Sequence, residues 1–304
     1  MRLRSITLIT VLLLGISPSA NSYTALTIDQ IPTVFKELTA NRALANPAVV
    51  LIDTKSGQVV FSRDGKGLRR PASTLKVLSA MSVLDYLEPT TTFNTTIYKT
   101  DLRNTFQIVG EFDPSITPDY QLAKSENFIW SNFLVNKIRA NSKSRSFTIR
   151  YYGITSRTQI NMANTFRRFG YRVAWRPLNQ ANSATHLAAE ITSVNSPDLA
   201  TILKHTLLWS ENYYAEYLAR IAAMKAGYTY DGSGINKVFH DVLNKAEIPN
   251  PELSVKDGSG LSGQNKISAL TLAQTLVKIY DDPKYKTLIE GLPVGGVSGQ
   301  SVPT

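Results

Sequence analysis

Ser73 and Lys76 stand three positions apart at the mouth of an apolar run, in "RRPASTLKVLSAM", residues 69–81. On a helix that spacing puts both side chains on one face, a turn apart and within reach of a hydrogen bond. A serine near a helix N-terminus has its developing negative charge stabilised by backbone N–H groups and the helix dipole. The same positive end, with burial, disfavours an ammonium and brings Lys76 towards the pKa of a usable base. A neutral amine can then accept the serine proton, which makes Ser73 a candidate nucleophile and Lys76 its base. A helix-capping serine beside a solvated lysine would give the same pattern, so the pair alone leaves both readings open.

Other chemistries find less support. His186, His205 and His240 are far apart and lack H-x-x-x-H spacing, which argues against a histidine-ligated metal. There is no G-x-x-x-x-G-K-[ST] and no G-x-G-x-x-G after a strand, which removes the usual phosphate and dinucleotide cradles. A G-x-S-x-G elbow is absent too. The chain has no cysteine, so disulfides, Cys-ligated metals, a thiol nucleophile and lipoprotein attachment are excluded.

These residues must be carried by a frame, and 304 residues at 43% hydrophobic and 18% charged content supply one large domain or two smaller ones with ample core. A net charge of +10 comes from scattered Lys and Arg, with no basic run of the kind that marks a nucleic-acid partner; an anionic polymer such as a cell wall suits it equally well. "MRLRS" reads as a basic n-region and "ITLITVLLLGI" as an apolar h-region. Ala20 and Ser22 are small residues at the −3 and −1 positions, so residues 1–22 read as a secretory signal cleaved after Ser22. The apolar run is short for a membrane span and no later segment approaches ~20 apolar residues, so no integral span is expected. The mature protein is expected in the periplasm or the extracellular, cell-wall space.

Along the chain, "TIDQIPTVFKELTANRAL" reads as a helix and "AVVLIDTKSGQVVFSRDG" as a β-hairpin turning at Ser56-Gly57. The run after Ser73 is apolar nearly all round and so predicts a buried helix. Residues 90–184 change character: "TTFNTTIY", "TFQIVGEF", "SFTIRYYG" and "YRVAW" read as strands. "QINMANTFRRFG" reads as a short helix with Met162, Phe166 and Phe169 on one face. This predicts an inserted α+β, strand-rich subdomain within a domain made of 23–89 and 185–304. Helices resume with Ser196-Pro197 as N-cap and first residue of "DLATILKHTLLW", then "YYAEYLARIAAMKAG" and "ISALTLAQTLVKIYDDP".

Ser-x-Asn occurs at residues 19, 125, 193 and 210, and as bare triplets the mature three are indistinguishable. "RPASTLKVLSA", "IVGEFDPSIT", "SPDLATIL", "SENYYAEYL", "DGSGLSGQNKIS" and "LPVGGVSG", taken in this order, cover most of the chain after residue 45. They resemble the class C low-molecular-mass penicillin-binding proteins, the serine-type D-Ala-D-Ala carboxypeptidase/endopeptidase family. "IVGEFDPSIT" departs from the glycine-rich form usual there.

The resemblance implies a β-lactamase/transpeptidase-like α/β/α sandwich of the α+β class. It selects Ser210 and Asn212 as the second motif. By that likeness Ser73 attacks the penultimate D-Ala carbonyl of a peptidoglycan stem peptide, or a β-lactam carbonyl as a covalent inhibitor, and Lys76 takes its proton. Ser210 relays a proton to the leaving amine, Asn212 orients Lys76 and substrate, and the Ser73 N–H gives half an oxyanion hole. No metal or cofactor is implied.

The family's third motif, Lys-Thr/Ser-Gly, lies on a strand well after "LPV". Lys55-Ser56-Gly57 precedes Ser73 in a hairpin turn and is a decoy. With the chain ending at Thr304, the expectation is a truncated member lacking the C-terminal strands and closing helix. A non-catalytic relic or wall-binding protein is the alternative. A β-lactamase is disfavoured because no glutamate stands in the expected company for deacylation.

Overall fold

The computed structural model describes residues 26–294, so the signal sequence expected over 1–22 lies outside the described residues. A helix, α1 (Ile31–Thr39), leads into the hairpin β1 (Val49–Ile52) and β2 (Val59–Arg63), which pair antiparallel. The hairpin turns because the Asp53 carboxylate accepts from the backbone N–H groups of Lys55 and Ser56 and from Ser56 Oγ. Lys55-Ser56-Gly57 is therefore turn structure, as its position in the sequence suggested. Phe35 of α1 packs on Phe61 of β2 with ring centroids 6.0 Å apart.

The short strand β3 (Leu68–Arg69) then delivers the chain to a 3-10 turn, Ala72–Thr74, that runs into α2 (Leu75–Leu84). The apolar-all-round pattern has the expected consequence: Leu75, Leu78, Met81 and Val83 are fully buried. Around α2 pack α6 (Leu199–Leu208), α7 (Asn212–Lys225) and α8 (Gly232–Lys245). Ile202, Leu203, Leu218, Ile221, Val238 and Phe239 complete this core. Antiparallel to β3 lies β9 (Ile267–Ser268), which opens α9 (Ala269–Asp281). The latter packs on β1, and the last described helix, α10 (Lys286–Gly291), packs on α6.

Between α2 and α6 lies a second unit with its own core. Its sheet contains β4 (Asn94–Thr100), β5 (Thr105–Gly110), β6 (Ser146–Tyr152), β7 (Arg172–Pro177) and β8 (Leu187–Asn195), in the order β7-β6-β5-β4-β8. The strands β5, β6 and β7 run parallel, and β4 is antiparallel to both its neighbours. Helices α3 (Tyr120–Ser125), α4 (Ser131–Asn141) and α5 (Ser156–Arg168) belong to the same segment. Ile97, Ile108, Ile149, Met162 and Phe166 are fully buried together.

Several details differ from the sequence expectations. The boundary expected at residue 184 falls before β8, yet β8 hydrogen-bonds along β4 and is the last strand of this sheet. Phe169 leaves the buried face of α5: it is 40% exposed, and Arg139 stacks on it at 3.7 Å. The N-cap of α6 is Asp198, whose carboxylate accepts from Thr201 N at 2.9 Å. Ser196 instead receives Phe93 N at 2.8 Å, which ties the insert's entry to its exit.

Candidate functional site

Ser73 sits in the last turn before α2, where the sequence pattern placed it, and it does not cap the helix: Thr74 holds the N-cap position, its hydroxyl donating back to Pro71 O at 2.6 Å rather than accepting from the helix. Ser73 Oγ instead meets Lys76 Nζ at 2.7 Å. Lys76 is only 2% exposed, among the largest fully buried side chains of the protein. Its second hydrogen bond goes to the carbonyl oxygen of Ser259 at 3.0 Å. Burial pushes the Lys76 pKa below its ordinary value, and the charges of Asp257 and Glu211 partly oppose that shift.

The loop that supplies Ser259 is organised around one carboxylate. Asp257 accepts from the backbone N–H groups of Ser259, Gly260, Leu261 and Ser262, and from Ser259 Oγ and Asn265 Nδ2. These bonds hold its pKa below the usual carboxylate range against the opposing effect of burial. Two further contacts fix the loop to the helices: Gly258 N donates to Glu216 of α7 at 2.7 Å, and Ser79 of α2 donates to Gly258 O at 2.5 Å. Glu216 is held in turn by Arg220 at 2.7 Å.

Gly260 has φ +83°, and a Cβ there would stand 1.7 Å from the Ala72 carbonyl oxygen. Only glycine permits this approach between the loop and the residue before Ser73. Ala72 itself has φ +48°, a backbone conformation that costs a residue with a Cβ about 1 kcal/mol or more.

Ser210 and Asn212 occupy the junction of α6 and α7. Ser210 adopts φ +54°, with its N–H on Leu207 O at 3.3 Å, while Glu211 N reaches Thr206 O at 3.0 Å. Together these bonds are a Schellman closure of α6 with serine in the left-handed position usually given to glycine. Ser210 is thus the residue that ends α6, and Glu211 is the N-cap of α7. Asn212, the first residue of α7, is exposed and lines the same cleft as Ser73, Ser259, Gly260 and Leu261, a space of about 310 Å³. Ser210 is half-buried at the turn and does not line that cleft. A second groove of about 410 Å³, walled by Tyr213, Tyr217 and Leu261, adjoins the cleft and shares Asn212, Ser259 and Leu261 with it.

The histidines lie elsewhere in the fold. His186 pairs with Asp101, His205 lies 3.6 Å from Glu126, and His240 bonds Asn250 and the Leu253 carbonyl. Among the described residues no group of three or more His, Asp or Glu side chains is arranged to hold a metal. None of their helices is long and apolar enough to cross a membrane.

Asp257, Ser259 and Glu216 were given no role by sequence reasoning. The usable signal was the string "DGSGLSGQN", in which one aspartate precedes a run of small residues whose N–H groups can converge on it.

A buried Ser-x-x-Lys pair on an α+β frame with a strand-rich insert defines a class, and comparison with known proteins agrees with it. The model of the D-Ala-D-Ala carboxypeptidase 3 (S13) family matches residues 33–125 and 138–302, and the chain belongs to that family, that of the class C low-molecular-mass penicillin-binding proteins. Penicillin binding protein 4 of Haemophilus influenzae shares the fold with a TM-score of 0.65 at 14% identity, over 83% of this chain and 79% of that one. A structure of that protein complexed with a novel β-lactam gives 0.64 at 15% identity, over 87% and 81%. A curated relative, carboxypeptidase Rv3627c of Mycobacterium tuberculosis, is 31% identical over 119 residues. That match covers 38% of this chain and about a quarter (26%) of the relative's length.

Proposed function

We propose that the protein is an exported serine-type D-alanyl-D-alanine carboxypeptidase/endopeptidase that cleaves peptidoglycan stem peptides through an acyl-enzyme on Ser73, and that β-lactams acylate the same serine. The observation that carries this reading is the 2.7 Å contact between Ser73 Oγ and a lysine 2% exposed to solvent. As a neutral amine Lys76 keeps an N–H on Ser259 O and offers its lone pair to the Ser73 hydroxyl, so the same contact runs in reverse as proton transfer.

Ser73 Oγ then bonds to the carbonyl carbon of the penultimate D-Ala, and its proton passes to Lys76. The oxyanion develops beside the Ser73 backbone N–H, in the turn that opens α2. Collapse breaks the bond to the terminal D-Ala nitrogen, which receives the proton from Lys76; the relay that the family resemblance assigns to Ser210 requires its hydroxyl to turn from the end of α6 into the cleft. Asn212, on the cleft wall, orients the substrate backbone. Water, deprotonated by the same lysine, releases the acyl group and restores Ser73. Support for the substrate class comes from family membership, from the carboxypeptidase among the relatives and from a net charge of +10 suited to anionic wall polymers. Support for β-lactam reactivity comes from the fold shared with a penicillin-binding protein seen with such a ligand.

The test is release of free D-alanine from a synthetic acyl-D-Ala-D-Ala peptide. Turnover that disappears in Ser73→Ala supports the reading. A folded protein that releases no D-alanine from this peptide would favour the wall-binding alternative.

A further inference from the structure

Two adjacent arginines reach β3's end and meet different surroundings. Arg69 forms an ion pair with Asp64. Arg70 leaves on the other side, is exposed, and lines the cleft that contains Ser73. No carboxylate among the described residues lies within ion-pair distance of it.

Its position is made by Gly263. A Cβ at residue 263 would lie 2.9 Å from Arg70 Nη2, 3.2 Å from Cζ and 3.5 Å from Nε. The guanidinium therefore rests against a stretch of backbone with no side chain to displace it. The groove that adjoins the cleft on the α7 side bears Glu216 and Asp257, both committed to the loop's own hydrogen bonds. An anion entering this site is repelled from that end and attracted to Arg70, the one cationic side chain lining the cleft among the described residues, Lys76 being buried behind Ser73. A planar fork of N–H donors in that place matches a carboxylate in two-point geometry.

We propose that Arg70 is a specificity-determining residue that binds a carboxylate of the substrate next to the carbonyl that Ser73 attacks. The inference rests on the acyl-enzyme reading above. The carboxylate can belong to the departing part of the substrate or to a side chain of the acyl donor; both present the same chemistry to the guanidinium.

The experiment measures second-order acylation of the full chain and of Arg70→Met by three penicillins. Benzylpenicillin carries only the ring carboxylate, its methyl ester carries none, and carbenicillin carries a second carboxylate on its acyl side chain. A ring carboxylate at Arg70 predicts a loss of about tenfold for both acids and none for the ester. A side-chain carboxylate predicts a loss confined to carbenicillin, and Arg70→Lys restores part of the rate in either case. Equal rates for wild type and Arg70→Met with both acids, or an equal loss that includes the ester, overturns the proposal.

If wild type reacts with none of the three, the acyl-enzyme reading has failed. Titration of Ser73→Ala with benzylpenicillin and its ester, with and without Arg70→Met, then decides the role of Arg70. Weaker binding of the acid alone upholds it; unchanged binding overturns it.

Discussion

Lys76 Nζ and the carbonyl oxygen of Ser259 meet at 3.0 Å although 183 residues separate them in the chain. This contact gives the buried amine an acceptor that cannot take its proton, and so leaves Ser73 as the one exchangeable partner among the amine's hydrogen bonds. The Asp257 loop, the Glu216 clamp and the Gly260–Ala72 approach all serve to hold that carbonyl in place.

Replacing the lysine separates stability from function. Lys76→Met is expected to abolish acylation while leaving the melting temperature unchanged or higher, because burying an ammonium costs more than two hydrogen bonds return. Burial lowers the folded-state pKa below the ordinary 10.5. The cost of the charge is therefore full below the folded pKa and fades as pH rises towards 10.5. The stability gain of Lys76→Met should shrink in the same direction. Thermal melts across pH check this, and a variant that melts far below wild type would contradict it.

The rate of acylation should rise with pH as Lys76 loses its proton. Glu211 raises the Lys76 pKa by its charge, so Glu211→Gln should move the midpoint to lower pH. Below the midpoint it should speed acylation by about twofold. Stopped-flow acylation over a pH series reads both, and a midpoint displaced upward would refute the assignment.

Gly260→Ala places a methyl 1.7 Å from the Ala72 carbonyl at φ +83°. The clash is with backbone on both sides, so the loop or the turn that carries Ser73 must move. A loss of about 3 kcal/mol or more in urea unfolding is expected, with acylation reduced more than tenfold. A stable, active variant would show that the turn does not depend on this contact.

Asp113 is a separate titrating element. Full burial pushes its carboxyl up to about 7, although Ser115 N–H donates to it at 2.7 Å. An acid whose folded pKa exceeds its unfolded value loses stability as pH rises between the two, here from 3.8 to about 7, a difference on the order of 4 kcal/mol. Asp113→Asn should flatten that dependence, gaining most above pH 7 and little near pH 4. Denaturant unfolding at both pH values checks it.

What was legible in the sequence was local. Ser73 and Lys76 need only one helical turn to meet, and the apolar surround of α2 announced the burial that lowers the lysine pKa. The hairpin turn at Ser56 was equally visible. The role of Ser259 was not, because its carbonyl is a backbone group aimed by contacts 183 residues from Lys76, and no residue type encodes that. Helix α4 escaped because it is entered from Trp130 with no side-chain cap, and its buried Leu134, Val135 and Ile138 interrupt a mostly polar string. Strand β8 was separated from its sheet because its partner β4 lies about a hundred residues earlier. That Ser210 ends α6 in the left-handed position usually given to glycine was not legible, because neither glycine nor asparagine, the usual stop signals, stands at that point.

The most direct measurement is intact mass after mixing the protein with a fluorescent penicillin, with Ser73→Ala and Lys76→Met alongside. The account predicts one adduct per chain, located on the peptide that carries Ser73 and absent from both variants. A wild-type chain that circular dichroism shows to be folded and that gains no mass would contradict it, as would an adduct that persists in Ser73→Ala.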